Sequence, residues 1–166
     1  MNSAPPDPSS PHISGLHSAC LGLGSNSDPV LNLQAAVKEL GESLTIDAVS
    51  GAWQSPAHGC EAPDYVNAAL LVRTTLSKDE LHLLLKRIEH DLGRQPNPSL
   101  LVAIDIDLLI FDGTVLRPDL WNLAYRAVTV GELLPELRNE ETSEPLVVAS
   151  RRLAATTRIV PRPDIL

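Results

Sequence analysis

Asp105 and Asp107 interrupt the apolar run LVAIDIDLLIF at alternate positions. A strand sends successive side chains to opposite faces, so the two aspartates share one face while Ile104, Ile106, Leu108 and Ile110 share the other. The run therefore reads as a strand with one buried face and one face that holds two carboxylates roughly 7 Å apart. Like charges at that spacing raise each other's cost of ionisation, and neither escapes desolvation cheaply. A hard divalent cation resolves the conflict, because such ions take oxygen ligands. Two of them about 4 Å apart form a clamp for phosphates during in-line displacement. The competing reading is a wet sheet face whose polar positions happen to be Asp.

The rest of the chain narrows the choice. A length of 166 residues suits one domain with a substantial core. The opening MNSAPPDPSSPHISG has neither the basic nor the apolar region of a secretory signal, and its Pro, Ser and Asp content suggests disorder. Residues 1–15 are thus expected to be a disordered leader and 16–166 a single domain. The formal net charge of -8 argues against nucleic acid or an anionic membrane as partner. Cys20 and Cys60 form neither a disulfide framework nor a zinc pattern, which points to the cytoplasm. His58 and Cys60 flank Gly59, but one imidazole and one thiol do not make a metal site.

Periodicity supplies the elements. HSACLGLGS predicts a first strand over about Leu16–Leu23. Asp28 can cap a following helix with Pro29 at its first position, Val30, Leu33, Val37 and Leu40 on one face, and Gly41 as the stop. The turn Gly24-Ser25-Asn26 between them can present N–H groups to a phosphate, although it completes no Rossmann or Walker pattern and also reads as a plain turn. SLTIDAVSGAWQS predicts a second strand ending near Ser55, and YVNAALLVRTTL a third that pairs with it antiparallel. The long polar loop PAHGCEAPD between them suggests binding. Ser77 and Glu80 open a second helix with a capping box; Leu81, Leu84, Leu85 and Ile88 line it, and Gly93 ends it. The aspartate strand follows, and Asp112-Gly113 predicts a hairpin turn. The order β-α-β-β-α-β is that of an α+β, ferredoxin-like core, an antiparallel sheet with helices on one face and the other face open. A helix over about Arg126–Leu134, a strand or short helix in PLVVASRRLAATTR, and an extended IVPRPDIL complete the chain.

These pieces, taken in order, resemble the 6-hydroxymethyl-7,8-dihydropterin pyrophosphokinase family. The likeness rests on LGLGSN, NLQAAVKEL, WQSPAHG, APDYVNAALLV, RIEHDLGR and AIDIDLLIFDG, over roughly Cys20 to Gly113. The resemblance implies transfer of diphosphate from ATP to a pterin alcohol in folate biosynthesis, giving AMP. It implies that Asp105 and Asp107 bind two Mg2+ ions that bridge the ATP phosphates and the pterin oxygen. It further implies a pterin site at Ser55, Pro56, Tyr65 and Asn67, with Asn67 on the amide edge and Tyr65 as a stacking face. Glu89, Arg94, Arg117 and Arg126 fall on the nucleotide side, Arg94 and Arg126 also among the catalytic group. Tyr65 as ordinary strand packing and Glu89 and Arg94 as a solvated helix end are the competing readings of those residues.

Two segments depart from the family pattern. Where the family carries an R-W-G-P-R-T loop that closes over both substrates, this chain has QPNPSLLVA, with no cation and no aromatic residue. Charge-assisted phosphate contacts are worth about 1.5–3 kcal/mol each, so losing two or three amounts to about 10³-fold or more unless others replace them. Where the family has V-P-H, the chain has DLWNLAYRA, and no histidine follows His90. Trp121 is a candidate to replace the lost stacking residue and equally a candidate for the core. Three readings are open on sequence alone: the pyrophosphokinase, a catalytically impaired or repurposed pterin- or nucleotide-binding module, and an unrelated ferredoxin-like interaction domain.

Overall fold

The computed structural model describes residues 15–95 and 100–166; most of the expected leader lies outside them, as does the centre of the departing loop after the second helix. The elements run β1 (His17–Ser25), α1 (Pro29–Ser43), β2 (Thr45–Val49), β3 (Trp53–Ser55), β4 (Tyr65–Thr74), α2 (Lys78–Asp91), β5 (Asp105–Phe111) and β6 (Thr114–Val115). A 3-10 turn (Pro118–Trp121), α3 (Ala124–Leu133), α4 (Leu146–Ala154) and β7 (Val160–Pro161) follow. The strands form one sheet in the order β6-β5-β1-β4-β3-β7, with β2 also on β4 and every pairing antiparallel. This is the expected β-α-β-β-α-β core with a C-terminal addition. Among the described residues no helix is long and apolar enough to cross a membrane.

Local chemistry explains most boundaries. Ser77 Oγ accepts from the Glu80 N–H while the Glu80 carboxylate accepts from the Ser77 N–H, so α2 begins on its capping box. Asp112 and Gly113 both have positive φ, as a two-residue hairpin turn between β5 and β6 requires. Asp112 is further held by the Ser18 N–H and His17 Nδ1, and the His17 hydrogen bond leads in keeping its carboxyl below the usual carboxylate range. α1 departs from expectation at both ends. Asp28 sits in the left-handed region without a side-chain cap bond, and the helix continues past Gly41 to Ser43. The expected second strand is two strands, because Ser50 and Ala52 leave the ladder. Ser50 Oγ instead accepts from the Ala69 N–H at 2.8 Å.

The sheet's two faces differ. On one, Leu33, Ala36 and Leu40 of α1 and Leu81, Leu84, Leu85 and Ile88 of α2 pack on Leu21, Leu23, Leu70, Val72, Ile106 and Leu108. Each such leucine or isoleucine contributes about 1.5–3 kcal/mol relative to exposure. The opposite face, expected open, is half roofed: α3, α4 and the 3-10 turn bring Leu120, Trp121, Ala127, Val130, Leu146 and Ala149 onto Cys20, Ala69, Leu109 and Ile110. Cys20 pairs with Ile110 but Leu21 with Leu108, so Leu109 is an extra residue in β5. That bulge sends Ile110 to the roofed face, not to the face of Ile104, Ile106 and Leu108. Trp121 belongs to this second core, and its indole N–H donates to the Glu144 carbonyl at 3.1 Å, so it is no stacking lid.

Candidate active site

The roof stops where β1 carries glycine. Gly22 pairs with Asp107, and Gly24 pairs with both Asp105 and Asn67, so these residues form the uncovered half of the face. A Cβ on Gly22 would stand 3.0 Å from Leu109 Cδ1, and one on Gly24 would stand 3.1 Å from Asn67 Oδ1. With glycine at both positions these neighbours lie across the strand without having to give way by a few tenths of an ångström. The result is a cavity of about 140 Å³ lined from below by Gly22, Gly24, Asn67, Asp105, Asp107 and Leu109. Ser55, Pro56, His58 and Tyr65 form one side of it, and Tyr125, Arg126 and Thr129 of α3 the other.

All four residues expected on the pterin side thus meet around one hollow. Asn67 is buried and its amide donates to Ser55 Oγ at 3.2 Å, which fixes the orientation of that polar edge. Burial, followed by the charge of Asp105, pushes the Tyr65 hydroxyl above its ordinary pKa; burial does the same to Tyr125. Both phenols remain neutral donors at physiological pH.

Three arginines converge on the aspartates. Arg94 Nη1 bonds Asp105 Oδ1. Arg126 Nη2 donates to Asp107 Oδ2 at 2.7 Å, and Arg117 Nη2 approaches Asp107 Oδ1 at 3.3 Å. Arg126 is the most enclosed of the three, with its other nitrogen on Asp119. Burial alone would lower the Arg94 and Arg126 values, but Asp105 at Arg94, and Tyr125 followed by Asp107 and Asp119 at Arg126, outweigh it, so both cations are reinforced. Two like charges on adjacent same-face positions are therefore tolerated through fixed guanidinium partners.

Glu89 is not the solvated helix end of its competing reading. It is 1% exposed, and its carboxylate accepts from Lys86 Nζ at 2.8 and 2.9 Å and from the Ile106 N–H at 2.6 Å. Arg94 Nη1 lies 3.0 Å from the same Oε1. Glu89 thus ties α2, the Arg94 guanidinium and the strand residue between the two aspartates. A ligand would have to displace those partners to reach it.

Asp107 also borders a second hollow, together with Lys78, Asp79, His82, Lys86 and Arg117 and the apolar Ile106, Leu108 and Leu116. The turn after β1, meanwhile, is spent on packing. The Asn26 N–H donates to the Val102 carbonyl at 3.1 Å, and the Asn26 side chain bonds the Val102 N–H and the Leu100 carbonyl at 2.6 and 2.8 Å. It staples the loop before β5 instead of presenting its N–H to an anion. His58 lines the cavity, Cys60 is exposed, and the described residues hold no cluster of three or more His, Cys, Asp or Glu able to take a metal.

Sequence reasoning passed over Gly22, Gly24, Tyr125 and Thr129. The glycines carried a usable signal: LGLGS alternates, so both fall on the face of the aspartates once β1 and β5 are paired. Thr129 was also within reach, three residues after Arg126 on a helix, and Tyr125 four before Thr129.

Residues 20–135 match the family model described as 7,8-dihydro-6-hydroxymethylpterin-pyrophosphokinase. A Synechocystis protein named 2-amino-4-hydroxy-6-hydroxymethyldihydropteridine pyrophosphokinase is 30% identical over 146 residues, covering 79% of this chain and 73% of its own. An Aquifex aeolicus protein of the same name is 35% identical over 106 residues, 60% of this chain and 64% of its own. Among solved structures, Plasmodium falciparum HPPK-DHPS with pterin and p-hydroxybenzoate aligns at TM-score 0.69 and 12% identity, over 85% of this chain and 44% of that one. At that identity the likeness concerns the fold. On the extent of the family match and the cover of the Synechocystis relative, the chain belongs to the 7,8-dihydro-6-hydroxymethylpterin-pyrophosphokinase family.

Proposed function

We propose that this chain is a working pyrophosphokinase that moves the diphosphate of ATP onto 6-hydroxymethyl-7,8-dihydropterin in folate synthesis, with Asp105 and Asp107 between the two substrates. The observation that carries this reading is the place of Asp107, in the wall shared by a hollow that Ser55, Pro56, Tyr65 and Asn67 line on the side away from the charges and a second hollow where Lys78, Lys86 and Arg117 outnumber Asp79 and Asp107. A flat heteroaromatic fits the first, with Tyr65 against its face and the Asn67 amide at its edge. A nucleotide fits the second, its phosphates towards the cations and the partly exposed Leu116 beside it. The pterin hydroxymethyl oxygen then bonds to the β-phosphorus, its proton is lost, the bond from the β-phosphorus to the α,β-bridging oxygen breaks, and AMP leaves.

Such a displacement asks the protein mainly for positioning and charge neutralisation. Arg94, Arg117 and Arg126 are already gathered at the reaction point, and Glu89 holds Arg94 and β5 in register. They are the residues available to offset the lack of cations in the stretch QPNPSLLVA before β5. The donor set also suits magnesium, which takes hard oxygens and binds through one or two carboxylates plus substrate phosphates. Asp105 and Asp107 would hold it, and when bound it would supply charge neutralisation at the phosphoryl oxygens. The module without catalysis draws its support from the bare loop alone, whereas the convergence of three arginines on the aspartates favours turnover. Two unpaired cysteines suit the cytoplasm.

Calorimetric titration with a non-hydrolysable ATP analogue, with and without magnesium, tests the aspartates. Magnesium should strengthen nucleotide binding to the wild type and do nothing for the Asp105→Asn/Asp107→Asn protein. An unchanged magnesium effect in that variant contradicts the assignment.

A further inference from the structure

The last described segment crosses the pterin half of the site at both ends of its longest loop. β7 pairs with β3 through Trp53↔Pro161 and Gln54↔Val160, and the Arg162 N–H donates to the Ala52 carbonyl at 2.8 Å. Further along, Ile165 is buried in the α1 core, and its carbonyl accepts from Gln34 Nε2 at 3.0 Å, so the segment is anchored beyond the crossing. Side chains close a circuit over the loop of residues 56–64. Arg162 Nη1 donates to Gln54 Oε1 at 2.9 Å, Gln54 Nε2 to Asp64 Oδ2 at 3.0 Å, and Arg158 Nη2 to both Asp64 oxygens at 2.8 and 2.9 Å. Gln54 immediately precedes Ser55 and Asp64 immediately precedes Tyr65, so the chain Arg162–Gln54–Asp64–Arg158 grips the loop where it leaves one cavity wall and where it returns to the other.

We propose that Arg158 and Arg162 are positioning residues for the pterin substrate: the segment after α4 clamps the ends of the 56–64 loop and so sets the spacing of Ser55 and Pro56 from Tyr65. This rests on the functional reading above. Neither arginine lines the cavity, so they act through Gln54 and Asp64. Single exposed ion pairs contribute little, but here the Arg158–Asp64 pair is coupled through Gln54 to Arg162, which also pairs with Asp164, and the whole is anchored by a backbone ladder and a buried isoleucine.

The test is the Arg158→Ala/Arg162→Ala protein, with Arg158→Lys/Arg162→Lys as the conservative partner. Hydrogen exchange is read over the peptide spanning residues 54–66, and steady-state kinetics with each substrate varied in turn. Expected are faster exchange confined to that peptide and a pterin KM raised about 3- to 10-fold, with the ATP KM, kcat and Tm unmoved and with partial recovery in the lysine protein. Unchanged exchange, faster exchange without a KM shift, or both KM values rising together with a lower Tm overturns the proposal. A wild type that binds no pterin overturns the functional reading instead, and the exchange arm then decides the clamp by itself.

Discussion

The same three strands build two unlike surfaces from alternate residues. Leu21, Leu23, Leu70, Ile106 and Leu108 face α1 and α2, while Gly22, Gly24, Asn67, Asp105 and Asp107 face the hollow. The first set is closed by volume and tolerates no loss of it. The second is defined by missing side chains and by charges held on arginines. Stability and chemistry are therefore separable by a step of one residue along a strand, and substitutions on the two faces should fail in different ways.

The largest separation is expected at the aspartates. Asp105→Asn with Asp107→Asn should lower kcat/KM by about 10³-fold or more, since it removes charge placed for the transition state, yet leave a folded protein by circular dichroism. Leu70→Ala, at a fully buried position on the other face, should lower stability by about 2–5 kcal/mol and move the urea midpoint accordingly. Its pterin and ATP KM values should stay within about twofold of the wild type. If instead the aspartate variant unfolds, or Leu70→Ala loses activity while keeping its stability, the two faces are not independent.

A finer test lies at Gly24. A Cβ there would stand 3.1 Å from Asn67 Oδ1, so Gly24→Ala should raise the pterin KM by about tenfold with little change in Tm. The smallest effect concerns thiols. Burial pushes the Cys20 thiol up to about 12, so only Cys60 should react with a thiol reagent at neutral pH. In the unfolded chain Cys20 regains its ordinary value near 9, so this contribution to stability is complete below pH 9 and is lost as the pH rises towards 12. Urea midpoints measured across that range, wild type against Cys20→Ala, check the sign.

Much of both faces is legible in the sequence alone. Period-two alternation placed the aspartates together, the capping box started α2, and Asp112-Gly113 marked its hairpin. What escaped depended on pairing between distant segments. Ile110 changed face because a bulge at Leu109 only exists once β5 meets β1. The roof over the second face needed α4, whose sequence read equally as strand or helix. Glu89 as a solvated helix end ignores that Leu81 and Leu85 lie at four-residue steps before it on the buried stripe. Its own spacing pointed inward. The circuit through Arg158, Asp64, Gln54 and Arg162 joins residues far apart in sequence, and no local pattern announces it.

The most direct measurement is AMP release by the purified protein given ATP, magnesium and 6-hydroxymethyl-7,8-dihydropterin, followed alongside the Asp105→Asn/Asp107→Asn variant. The account predicts one AMP and one pterin diphosphate per ATP consumed by the wild type, dependent on the pterin, and none above background from the variant. Pterin binding without AMP release in the wild type, or equal release from the variant, would contradict it.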